Sequence, residues 1–154
     1  MADDASVSIQ ATILPDEIAK TLTGSMTVTP ADANDKWYYK LTSITTTSAD
    51  LIAGRFLDYT AVDQDTDQTA VSTSDKVKFL FIQNTSSSDG IYICLDGGTA
   101  ANDLVDGIFI GPSQTFVGRF PNTTVGNLHA ISSDIADTGD ASATAIVCAL
   151  IDDV

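Results

Sequence analysis

The sequence predicts an all-β protein: an antiparallel β-sandwich, jelly-roll-like, of about nine or ten short strands with an extended N-terminal strand or arm. Three observations predict it. Twenty aspartates stand against one glutamate, Glu17. Aspartate's short carboxylate bonds to nearby backbone amides and favours turns, whereas glutamate suits helix interiors. Twenty threonines and fourteen serines add to this, because a β-branched side chain fits a pleated strand. Finally, short apolar alternations recur between Asp, Gly, Ser and Asn clusters, and none holds a helical period for more than about two turns.

The elements follow in order. In residues 6–13, Val7, Ile9, Ala11 and Ile13 alternate with Ser6, Ser8, Gln10 and Thr12, which predicts a half-buried strand. A strand at a chain end must be tied to a sheet to be ordered, and in an oligomer that sheet can belong to a neighbour. Residues 1–14 are therefore read as an arm able to exchange between copies, and 15–154 as one sandwich domain. Pro15-Asp16-Glu17 opens a short helical turn through Lys20. A strand over Thr23–Thr29 has Met26 and Val28 in phase, and residues 30–35 are a loop by composition. Trp37–Thr45 is a longer strand. Leu51–Tyr59 is expected as another, interrupted at Ala53-Gly54, and Asp63–Ser74 is an exposed polar loop.

Beyond it, Val77, Phe79 and Phe81 alternate with Lys78, Leu80 and Ile82. Both faces are partly apolar, which suits a strand buried between two layers. Asn84–Gly90 turns the chain into Ile91–Leu95, a hairpin. Ile108–Ile110 and Gln114–Phe120 flank Gly111-Pro112. Val125–Ser132 and Ala143–Ile151 complete the set.

Length and charge bound the function. At 154 residues the chain fits one domain able to bury its own core. The formal charge is −14, which repels phosphate backbones and anionic lipid, so neither nucleic acid nor membrane is expected as a partner. Such charge keeps a protein soluble and fits saline surroundings. No apolar run reaches the ~18–20 residues that span a bilayer. The start, Met1-Ala2-Asp3-Asp4, lacks the layout of a signal peptide, and synthesis in the cytoplasm is expected.

The residues carry no enzymatic signature. His129 is the single histidine, which excludes HExxH zinc chemistry, and no GxSxG elbow presents a nucleophile. His129 is read as structural or surface. Asp63, Asp65 and Asp67 imitate the start of a calcium loop. Gln68 then replaces the turn glycine and Ser74 the closing glutamate, so a solvated loop is the reading. Asp96, Asp103 and Asp106 form a second acidic group with two open readings, calcium held between loops or turn chemistry. Gly97-Gly98 lacks the lysine and helix of a phosphate loop. Cys94 and Cys148 lie in apolar runs and read as buried small hydrophobes, with a bridge between them left open. No catalytic residue, cofactor or metal is assigned. Trp37-Tyr38-Tyr39 is the densest aromatic cluster, suited to a protein interface or to stacking on sugars. With Val7, Ile9 and Ile13 it makes up the expected interface; the bland reading is that Trp37 plugs one end of the core.

From Val77 onward the strand order and turn placement carry a resemblance. The run Phe79-Leu80-Phe81-Ile82 turns through Asn84-Thr85 into Ile91–Gly98. Ile108–Pro112 precedes an aromatic strand, and Leu128–Ser132 and the Ala-Ile-Val-Cys-Ala-Leu-Ile strand close the chain. This half of the chain resembles the small β-sandwich virion proteins of tailed bacteriophages, especially capsid decoration (cement) proteins of marine phages. The resemblance implies a non-enzymatic homotrimer or homodimer on the outer capsid surface, bound to the major capsid protein between capsomers. The N-terminal strand would grip a partner sheet by strand addition. Rival expectations are a receptor- or glycan-binding fibre-tip module, a head–tail connector component, and a small hydrolase of unusual design.

Overall fold

The computed structural model describes residues 4–13, 20–57, 69–101, 107–133 and 142–154. The expected helical turn at 15–20 lies largely outside them, as do Asp63, Asp65, Asp67, Asp103 and Asp106. The chain forms two compact units, Met1–Ala33 and Asn34–Val154. The first therefore extends beyond the arm expected to end at residue 14.

The first unit contains an antiparallel hairpin of β1 (Ala5–Ile13) and β2 (Lys20–Val28). Alternating threonines and apolar residues favour both strands, and the register runs unbroken from Ala5↔Val28 to Ile13↔Lys20. β1 is not half-buried as expected: Ile9 and Ile13 are 44% and 46% exposed.

The second unit holds β3 (Asp35–Ile44), β4 (Ala49–Asp50), β5 (Lys76–Asn84), β6 (Gly90–Cys94), β7 (Ile108–Ile110), β8 (Thr115–Thr124), β9 (His129–Ser133) and β10 (Ala143–Asp152). One sheet has the order β3-β10-β5-β8, the other β4-β9-β6-β7, and all pairings are antiparallel. Numbered within this unit, the orders are 1-8-3-6 and 2-7-4-5, the winding of an eight-stranded jelly roll. The expected antiparallel β-sandwich is what forms.

The core lies between the two sheets. β10 contributes Ala143, Ala145, Val147, Ala149 and Ile151, and β5 contributes Val77, Leu80 and Ile82. The facing sheet adds Ile91, Ile93, Ile110 and Ala130. Small alanines on the central strand leave room for the branched residues opposite, which lets the layers interdigitate. Phe116 and Phe120 pack against this core from β8.

Three segments differ from the sequence reading. Leu51–Leu57 is irregular, not a strand, because Gly54 takes φ +114°. The segment still packs inward through Leu51, Ile52 and Phe56. Val125–Asn127 is a 3₁₀ turn before the short strand β9. In β5 the simple alternation breaks: the pairing shifts between Val77 and Phe79 on both neighbouring strands. This bulge at Lys78 puts Val77 and Leu80, three residues apart, on the same core face. Phe79 and Phe81 turn to the outside.

Candidate functional site

The hairpin separates its side chains by chemistry. One face pairs Ser6 with Thr27, Ser8 with Ser25, Gln10 with Thr23, and Thr12 with Thr21. The other pairs Val7 with Met26, Ile9 with Gly24, and Ala11 with Leu22, ending at Ile13 and Lys20. Period-two alternation makes this division unavoidable once the register is set. The apolar face is open: Ile9, Ile13 and Leu22 are each close to half exposed. Neither strand contains an acidic residue in a chain carrying 21. An open hollow at the middle of the hairpin is lined mostly by the polar face, through Ser8, Gln10, Thr23 and Ser25, with Ile9 and Gly24 at its edge. A two-stranded hairpin is marginal in water alone, so a face of this kind is stabilised when something covers it.

The second surface is the outer face of the β3-β10-β5-β8 sheet. Trp37, Tyr39 and Leu41 alternate outward from β3, opposite Leu150, Cys148 and Ile146 of β10. Phe81 and Val117 continue the Tyr39–Cys148 row across the sheet. Tyr39 and Leu41 are 52% and 62% exposed. Phe79 is buried beneath Trp37, edge to face, with ring centroids 6.2 Å apart. Burial also pushes the Cys148 thiol up from its ordinary pKa, so it sits here as a neutral small hydrophobe.

Of the six interface residues expected from the sequence, Val7, Ile9 and Ile13 lie on the hairpin, and Trp37 and Tyr39 on the sandwich. Tyr38 does not belong with them. It faces the core at 1% exposure, and its hydroxyl donates to the Ala53 carbonyl at 3.0 Å. Burial raises its pKa, against a smaller opposing effect of that hydrogen bond. The pleat forces this outcome, since neighbours of Tyr38 must point the other way. Leu22, Gly24, Met26, Leu41, Phe81 and Ile146 join the surfaces and were not singled out. For Leu22, Gly24, Met26 and Leu41 the available signal was period-two spacing from Val28 or Trp37; Phe81 and Ile146 join through cross-strand pairing.

A third cluster closes the corner of the other sheet. Adjacent strands place Asp50, His129 and Cys94 in one row. His129 Nδ1 donates to the Gly98 carbonyl at 2.6 Å, and Nε2 lies 3.1 Å from Asp50 Oδ1. The Cys94 thiol donates to Asp96 Oδ1 at 2.7 Å, as does the Gly98 N–H at 2.9 Å. Those two bonds, the thiol first, hold the Asp96 carboxyl below its ordinary pKa. With both ring nitrogens facing acceptors and the thiol proton engaged, the cluster is a brace for the Asp96–Gly98 turn. Cys94 and Cys148 are both free. No group of three metal-ligating side chains occurs among the described residues.

Compared with protein-family models, curated proteins and solved structures, the chain matches none.

Proposed function

We propose that this chain is a non-enzymatic structural protein that decorates and stabilises a bacteriophage capsid, binding the major capsid protein between capsomers on the outer surface. One observation carries the reading: the hairpin holds an acid-free apolar face open to solvent on a chain of net charge −14. Exposed apolar surface of this kind marks a contact with another macromolecule. The outer sheet face, with Tyr39 and Leu41, supports the same conclusion with a second contact area. Jelly rolls serve in viral capsids and in lectins, so the fold is compatible with the role and does not by itself give it. The glycan-binding alternative draws less support, because Tyr38 is spent in the core and Trp37 is packed edge-on against Phe79.

The test is the copy number of the chain in purified particles, together with removal of residues 1–28. Hundreds of copies per particle are expected for decoration, and a handful points to a tail or connector part. The truncated chain is expected to keep a strand-dominated circular-dichroism spectrum and to lose particle binding. Unchanged binding overturns the role given to the hairpin.

A further inference from the structure

We infer that the apolar face of the hairpin is self-complementary: it docks on the same face of a second copy of this chain, with Ile9 of each copy seated in the gap over Gly24 of the other. This deepens the assembly reading above and rests on it.

Gly24 is the starting observation. A glycine inside a strand weakens it, and often marks a place where another backbone or a ligand comes close. Among the described residues nothing requires it. Gly24 is not among the residues with positive φ. A Cβ added there would meet nothing within 4 Å. Its neighbours on the same face, Leu22 and Met26, are large, so its absent side chain leaves a gap beside Ile9.

The register turns that gap into a matching rule. Ile9↔Gly24 is the middle of the unbroken pairing that runs from Ala5↔Val28 to Ile13↔Lys20. Homodimers most often form around a two-fold axis. An axis lying in the contact plane, parallel to the strands, lays β1 of each copy over β2 of the other, rung on rung. Ile9 then covers Gly24, and Leu22 covers Ala11. At these two rungs a large residue meets a small one, which suits two sheets packing ~10 Å apart; at the flanking rungs Val7 meets Met26 and Ile13 meets Lys20.

Charge favours the same partner. Two copies of a chain at −14 repel. The hairpin strands carry no acid and a single cation, Lys20, at one end, so contact there avoids placing carboxylates together. The footprint is small. Two nine-residue strands cover roughly 300 Å² per copy by standard strand spacing, below the ~800 Å² per partner of a standard stable interface. The contact is therefore weak in dilute solution, and strong where copies are already held side by side.

The test mixes two full-length single variants, Ile9→Cys and Gly24→Cys, with a short bismaleimide that bridges thiols across facing sheets, and maps the products by mass spectrometry. A cross-link joining residue 9 of one chain to residue 24 of the other is expected as the dominant product. A second variant, Gly24→Val, fills the gap. It is expected to keep or raise the melting temperature while weakening self-association roughly tenfold or more, as overpacking does. Ser87→Ala, an exposed change in the β5–β6 turn of the sandwich, is expected to leave self-association unchanged. A 9–9 or 24–24 product in excess, a cross-link to the sandwich, or unchanged association of Gly24→Val overturns the proposal. So does a strictly monomeric protein at about 1 mM. If the 9–24 link fails while removal of residues 1–28 still abolishes particle binding, the self-contact falls and the assembly role stands. If the link forms and particles carry no copies, the assembly role falls and the self-contact stands.

Discussion

Asn84 does more than its place at the start of a turn suggests. It is 1% exposed at the end of β5, on the core side. Its Nδ2 donates to the Asp89 carbonyl at 2.7 Å and the Gly111 carbonyl at 3.0 Å, and its Oδ1 accepts from the Ser86 N–H at 3.0 Å. One side chain thus ties the β5–β6 turn to the β7–β8 turn. Asn84→Leu fits the volume and removes these bonds together with a longer one to the Ile110 carbonyl at 3.3 Å, leaving buried carbonyls without that donor. A loss of about 2–3 kcal/mol is expected from denaturant unfolding. A loss within about 0.5 kcal/mol would show that water or a shifted turn replaces the amide. Composition suggested a turn at residue 84, as Asn commonly marks. Which carbonyls it serves depends on Gly111, 27 residues away, and no local pattern carries that.

At the scale of elements, the bulge in β5 is the feature that alternation concealed. Reading Val77, Phe79 and Phe81 as one face was correct locally for Phe79 and Phe81 and failed at Lys78, where one extra residue switches the phase. The switch delivers the Lys78 amine to Asp35 at 2.6 Å and Asp152 at 3.1 Å. The hydrogen bond that the amine donates to Asp35, whose carboxylate is almost fully buried, is the main cause that raises the lysine above its ordinary pKa of 10.5. Because the folded value lies above the unfolded one, this stabilisation is whole below pH 10.5 and is lost as pH rises through the folded value. Tyr38, also raised, loses stability in the same direction. Lys78→Met is expected to lose about 2 kcal/mol at neutral pH and to show a smaller alkaline decline than the parent protein in urea titrations. An identical decline in both would assign the alkaline loss elsewhere. Strands with plain alternation and clear turns, such as β1, β3, β6 and β10, were legible in the sequence. The bulge and the Leu51–Leu57 segment were not, because pairing with distant strands and a positive φ at Gly54 decide them. Half of the candidate site was legible for the same reason: Val7, Ile9 and Ile13 follow from alternation, whereas Gly24 is conspicuous only once its partner across the hairpin is known.

For the molecule as a whole, winding order has a consequence for folding. The eighth strand of the sandwich, Ala143–Asp152, sits between its first strand and its third. All five of its inward side chains are fully buried. Until that strand has joined, the sandwich has a slot where its central beam should be, and non-local closure of this sort is slow. A stop codon at Ala143 should yield insoluble product, not a slightly weakened sandwich, as a solubility assay after expression would show; soluble, strand-rich truncated protein would contradict it. Completion of the sandwich therefore waits on a central pairing that the earlier segments cannot supply among themselves.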